Sequence, residues 1–154
     1  MFKKYSSLTN HYEGKFINGV IMNGLTGGVW VAREKIHGAN FSFITDDGVT
    51  VTPAKRTDVV KPAEDFYGCS AVVAKYSPGI RKMWETLKKT GTYDDLVIQV
   101  YGEFAGRGVQ KDVDYGEKDF YVFDIRVNGE FLPDNLCSLI SRSHGLKMAP
   151  LLGY

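Results

Sequence analysis

Cysteine is scarce in this sequence and poorly spaced for metal binding. Its two cysteines, Cys69 and Cys137, lie far apart and outside any Cys-x-x-Cys pattern, which argues against a zinc site and suits buried free thiols in a reducing compartment. An excess of charge of one sign is missing as well. Nineteen Lys and Arg stand against eighteen Asp and Glu, a formal net charge of +1, so phosphate binding must come from local clusters rather than a polycationic surface. No apolar run approaches the ~20 residues of a membrane span, and the opening "MFKKYSSLTNHYEGKF" has no apolar stretch of signal-peptide length. A soluble, cytoplasmic protein with no membrane partner is the expectation. Repeats, low-complexity tracts and linkers are also absent. What is present is a chain 44% apolar and 13% aromatic, enough for one packed domain and too much for disorder.

Periodicity places the elements. "GLTGG" at 24–28 predicts a turn, and "VWVAR" a strand leading to Lys35. "NFSFITDDGVTVTPAKR" alternates on both sides of Asp46, Asp47 and Gly48, the pattern of a hairpin. From Pro62 to about Thr90 the pattern is helical, with a break expected at Ser77, Pro78 and Gly79 because proline disfavours helix in the residue before it. "LVIQVYGEFAG" and "DFYVFDIRV" predict strands, with "NGE" at 128–130 as a turn, and a short helix fits 134–143 before Gly145. Strands outnumber helices, and the short links around Lys35 predict antiparallel or mixed sheets.

Lys35 is the residue whose placement asks for an explanation. A lysine amine attacks phosphorus or carbonyl carbon only when unprotonated, so its reference pKa of about 10.4 must fall through burial or nearby cations. Arg33, Lys55 and Arg56 are the candidate cations. A strand-edge lysine can equally be a surface residue lying along apolar neighbours. Its company favours chemistry: Gly38 allows a phosphate close to the backbone, and "AKRT" at 54–57 ends the hairpin with two cations and a hydroxyl.

These residues resemble a known family. "EKIHGAN" resembles the first motif of the covalent nucleotidyltransferases, lysine-x-(Asp or His)-Gly, a superfamily of ATP-dependent RNA ligases, DNA ligases and mRNA-capping enzymes. With "MFKKYSSL", "LTGG", "AKRT", "PAEDF", "GEFAG", "VDYG", "DFYVFDI" and "KMAPLLG" in the same order, the chain is similar to the type 2 RNA ligases of T-even bacteriophage. The histidine at position 37 favours RNA ligases over DNA ligases and capping enzymes. A kinase reading of "VAREK" fails, because "GLTGGVW" is not GxGxxGxV and neither HRD nor DFG occurs.

The resemblance implies that Lys35 attacks the α-phosphate of ATP, the AMP donor, releasing pyrophosphate and keeping AMP on its amine. AMP then passes to the 5′-phosphate of an RNA end, and a 3′-hydroxyl displaces it to seal a nicked duplex. Magnesium is the expected ion, held through phosphates with no protein ligand motif. Phe123 matches the aromatic that stacks on adenine and Glu103 the acid that contacts the ribose; read locally, Phe123 is a core residue, and Glu103 is either outward-facing or paired. Glu34 and Asn40 match positions that help order the nucleotide and the RNA, and Ile36 is expected beside them at the nucleotide. Arg56, with Lys55 beside it, is expected to meet phosphate or the RNA end. His37 either bonds within the nucleotide site, orients Lys35 or is structural. Arg107 and Lys111 lie in a glycine-rich loop that either contacts phosphate or is an exposed connection. Asp124 is expected on the face opposite Phe123, as a partner to a basic residue or part of the site.

The resemblance also implies an α+β nucleotidyltransferase, or ATP-grasp-like, domain with twisted, mostly antiparallel sheets. Family members continue past "KMAPLLG" into a Glu-Gly-x-x-x-Lys stretch and a Lys-x-Lys stretch. Neither occurs in residues 1–154, and Lys88, Lys89 and Lys147 do not replace them. The expectation is therefore an adenylylation domain, partial at its C-terminal end and representing the N-terminal portion of the fold, in a phage-infected cell. Self-association or a complementing chain is expected to cover what is exposed. The alternatives are a non-catalytic nucleotide- or RNA-binding remnant and one half of a split ligase.

Overall fold

In a computed structural model describing residues 1–154, the alternating segment after Lys35 folds as a hairpin. Strands β2 (Ala39–Thr45) and β3 (Thr52–Lys55) pair antiparallel from Phe41 opposite Lys55 to Ile44 opposite Thr52. Asp47 closes the turn by accepting from the amides of Val49 and Thr50. β2 pairs on its other side with β4 (Ile98–Ala105), and β4 with β5 (Asp119–Val127). β6 (Glu130–Phe131) follows β5 through a turn in which Asn128 and Gly129 both have positive φ, the geometry of a tight hairpin. The sheet order is β3-β2-β4-β5-β6, and β7 (Lys147–Met148) adds a parallel pairing to β5. This is the mixed α and β architecture, mostly antiparallel, that the sequence predicts.

One face of the sheet carries the core. Phe41, Phe43, Val100, Phe104, Phe120, Val122 and Ile125 are fully buried there against Val72, Tyr76, Ile80 and Met83 of helix α2 (Ser70–Thr90). Phe43 and Phe120 meet edge to face at 4.9 Å. Each such ring contributes about 1.5–3 kcal/mol on burial. The expected break in this helix does not occur: α2 runs unbroken through Pro78. Proline on its exposed face forfeits one backbone bond, while Tyr76 and Ile80 on either side keep both halves seated on the sheet. The helix also begins later than its pattern suggests, because Tyr67 and Gly68 turn the chain through positive φ.

Helix α3 (Asp134–Ser143) has the predicted bounds and ends before Gly145 at φ 76°. The strand expected over "VWVAR" shrinks to β1 (Ala32–Arg33), which pairs with β8 (Leu151–Gly153) in a separate two-stranded sheet. Helix α1 (Gly14–Met22), which local pattern does not announce, buries no residue. No helix is long and apolar enough to cross a membrane.

The detail that matters most for the site is an irregularity in β5. Tyr101 faces Asp124 while Gly102 faces Val122, leaving Phe123 unpaired. The buried positions accordingly change phase, from Phe120 and Val122 to Ile125 and Val127. A β-bulge of this kind turns two successive side chains to one side. Phe123 and Asp124 therefore share a face, contrary to strict alternation, and Tyr5 touches both: its ring packs on Phe123 at 4.8 Å and its hydroxyl donates to the Asp124 carboxylate.

Candidate functional site

Lys35 lies in the connection from β1 to β2, which is tied down along its length. The Glu34 amide donates to Pro150 O at 2.9 Å. Ile36 is buried with Ala105 and Ala149. The Gly38 amide donates to Glu103 Oε1 at 3.1 Å, and Gln110 Nε2 donates to Gly38 O at 3.1 Å. Glycine is required here, since a Cβ would stand 2.2 Å from the carbonyl oxygen of Phe104. The close approach that glycine permits here is to the backbone of β4.

A cleft of about 210 Å³ opens beside this connection. Glu34, Lys35 and Ile36 form one wall. Asn40 and Glu103, cross-strand partners on β2 and β4, form the floor with Phe123 of the bulge. Arg56, just past β3, stands at the rim. Larger clefts of about 620 and 760 Å³ lie elsewhere and contain no residue of the 34–38 connection.

Several residues singled out from the sequence lie outside this cleft. His37 turns its ring toward Asp112 at 4.0 Å, away from Lys35's neighbours in the cleft. Lys55 forms an ion pair with Glu64. Arg107, mostly exposed, stands 3.8 Å from Glu117, and Lys111 is exposed on the same loop. The cleft in turn includes Tyr5, Ser6, Leu8 and Ala149; they lie in segments that carry the family resemblance, but no residue chemistry singles them out, because they arrive from the two ends of the chain.

Electrostatics separate the three cations offered as neighbours of Lys35. Arg33 is locked by a two-pronged bond to Asp134 at 2.7 and 2.8 Å, with Ser138 and the Ala149 carbonyl as further acceptors. Lys55 is engaged by Glu64, which leaves Arg56 as the one of the three without a carboxylate partner. Lys35 itself is exposed, so of the two expected influences, burial or nearby cations, the fold does not supply burial. Burial pushes the Glu103 carboxyl above the usual range, offset in part by the Gly38 amide and by the charges of Lys35 and Arg56. Asp124 is likewise raised, chiefly by burial. No group of three or more His, Cys, Asp or Glu side chains is arranged to hold a metal ion.

The RNA ligase family model matches residues 28–154, a span that holds the whole Lys35 connection, the floor of the cleft and Arg56. The chain belongs to the RNA ligase family. Mitochondrial RNA-editing ligase 2 of Trypanosoma brucei brucei is 30% identical over 107 residues, 69% of this chain and 26% of that protein. RNA-editing ligase 1 of the same species is 33% identical over 76 residues, 47% of this chain and 16% of the relative. This RNA ligase chain thus spans about a quarter or less of the curated relatives it matches. Among solved structures, a Naegleria gruberi RNA ligase mutant with ATP and manganese superposes with a TM-score of 0.60 at 17% identity, over 80% of this chain and 36% of that one. At that identity the likeness establishes a shared fold.

Proposed function

We propose that the chain is the adenylylation domain of an ATP-dependent RNA ligase that joins RNA ends through a covalent lysyl-AMP intermediate on Lys35. One observation carries this reading: Lys35, Arg56, Glu103 and Phe123, from four separate segments, line a single cleft. Each has a physical task. The Phe123 ring offers an apolar face to adenine. Glu103 has one oxygen occupied by the Gly38 amide and the other available to a ribose hydroxyl. Arg56, free of carboxylates, neutralises phosphate. The Lys35 nitrogen, unprotonated, bonds to the α-phosphorus while the bond from phosphorus to the pyrophosphate oxygen breaks, pyrophosphate leaves, and the proton the nitrogen gives up passes to solvent. Positioning and charge neutralisation dominate such a phosphoryl transfer.

The donor set fits magnesium as a passenger of the nucleotide. The ion would be held mainly by phosphate oxygens, with Glu34 and Glu103 the carboxylates that line the cleft. Its chemistry there would be to neutralise phosphate charge. In the second half of the reaction AMP passes to an RNA 5′-phosphate and a neighbouring 3′-hydroxyl displaces it. A nicked duplex is the proposed substrate, and the ordered series of segments shared with phage type 2 ligases supports that subclass. Sealing by the whole protein is part of the proposal.

The test is incubation with magnesium and α-labelled ATP, with Lys35→Ala as control. Label on the wild type and none on the variant is the expected result. ATP binding without label in either would replace this reading with that of a nucleotide-binding remnant.

A further inference from the structure

The connection carrying Lys35 has one support that lies outside the cleft. The hydroxyl of Tyr115 donates to Glu34 Oε1 at 3.2 Å and accepts from the His37 amide, also at 3.2 Å. A phenol has one proton to give and lone pairs to receive, so both bonds form together. They bracket Lys35: one anchor precedes it, the other follows Ile36. Glu34 is otherwise fixed only through its backbone, and His37 has no other backbone bond in the connection.

The ring that delivers this hydroxyl is itself held. It packs against Ile36, Ala105 and Ala149 and lies 6.2 Å from the Tyr121 ring, centroid to centroid. Its own backbone sits in a turn closed by Asp114 accepting from the Gly116 amide at 2.8 Å and by the Arg107 amide donating to Gly116 O at 2.8 Å. Apolar contacts thus fix where the ring lies, and the two hydrogen bonds fix what the chain around Lys35 does. Tyr115 is not among the residues that line the cleft, and its hydroxyl reaches that lining through Glu34.

We infer that Tyr115 is a positioning residue for lysine adenylylation, clamping Glu34 to His37 so that the Lys35 amine is presented to the α-phosphate from a fixed backbone. This rests on the adenylylation reading above. Lys35 is exposed, and the chain on either side of it is held at Glu34 and His37, so the point from which its flexible side chain reaches the cleft is set by its backbone. A misplacement near 1 Å at a reacting group costs about a hundredfold in rate.

Tyr115→Phe removes both bonds and keeps the ring in its apolar seat. The expected result is a fall of about 10- to 100-fold in the rate of Lys35 labelling by magnesium-ATP, with KM for ATP changed less than about threefold. Exchange of the His37 amide with deuterium, followed in the same chain without nucleotide, should quicken by about tenfold, the equivalent of one modest hydrogen bond. Labelling of the variant at the wild-type rate, a loss confined to KM, or an unchanged His37 exchange rate would each overturn the inference. A wild type that binds ATP but never labels overturns the adenylylation reading and with it the catalytic role; faster His37 exchange in the variant would then identify a structural clamp alone.

Discussion

Gly38 gives its amide to Glu103 at 3.1 Å while its α-carbon leaves no room for a side chain beneath the Phe104 carbonyl. The lysine-bearing connection and the acid on the floor of the cleft are therefore one structural unit, joined at the only residue type that fits.

The burial of this acid sets a pH dependence, which the Gly38 bond opposes in part. Burial raises the Glu103 carboxyl above its ordinary value of 4.5, so the folded chain holds this proton more tightly than the unfolded one. The stability it contributes is complete below pH 4.5 and is lost as pH rises through the raised folded value. Glu103→Gln keeps an oxygen for the Gly38 amide and has no charge to desolvate. Thermal melting should show the variant more stable than wild type at pH 7, with the gap closing at pH 4, and ATP binding weaker at either pH. A variant no more stable at pH 7 would mean that burial does not penalise this carboxylate.

Asp119, at the start of β5, behaves in the opposite sense. Burial alone would raise its carboxyl, but bonds from Lys147, Tyr76, the Phe120 amide and Lys75 outweigh that and hold it at about 2. This group therefore stabilises the fold above its ordinary value of 3.8, and the contribution disappears as pH falls toward 2. Asp119→Asn gives up charge-assisted bonds to two lysines that are each about half exposed, a loss of about 1–3 kcal/mol. Urea denaturation at pH 7 should show that loss, and the difference from wild type should shrink at pH 2–3.

Much of this architecture is legible locally. β5 occupies residues 119–127 and α3 residues 134–143, as their patterns indicate, because β5 is dense in aromatic and β-branched residues and Gly145 marks the end of α3. The bulge at Phe123 is not legible, since it depends on how Tyr101 and Gly102 of another strand pair with it. Pro78 misleads for the converse reason: tertiary burial of Tyr76 and Ile80 overrides a local rule. β7 and β8 are too short to carry a period. For the cleft, residue chemistry and family resemblance together nominate Lys35, Arg56, Glu103 and Phe123, yet Tyr5 and Tyr115 emerge only when distant segments are brought together.

The two thiols offer a direct check on burial. Cys137, on the inner side of α3, is fully buried, and its thiol is pushed up to about 12, chiefly by that burial. Cys69, ahead of α2, is also raised by burial. Thiolate, the reactive form, is scarce for both at pH 8. A colorimetric disulfide reagent should find no accessible thiol in the native chain and two after unfolding in guanidinium. Rapid reaction of Cys137 in the native state would contradict the packing around α3, and of Cys69 the packing at the start of α2.

Lys55 and Arg56 show how adjacent residues of the same sign acquire different tasks. Both end the same hairpin, and composition alone cannot rank them. Strand β3 stops at Lys55, whose side chain goes to Glu64 across the following turn, while Arg56 reaches the cleft rim with no carboxylate to hold it. Pairing with Lys55 keeps the Glu64 carboxyl below its ordinary range, aided by the Lys61 amide, so Lys55 is already spent on an anion of the protein. A phosphate entering the cleft meets Arg56 without having to displace a partner. Arg56→Ala should therefore weaken ATP binding or slow Lys35 labelling by about 10- to 100-fold, the scale of a hydrogen bond to a charged group, with melting little changed. Lys55→Ala should leave ATP binding within about threefold of wild type, because an ion pair of this kind contributes little elsewhere. Equal losses from the two substitutions would mean that the Lys55 ammonium leaves Glu64 for the phosphate, and titration of both variants with ATP in parallel decides between these outcomes.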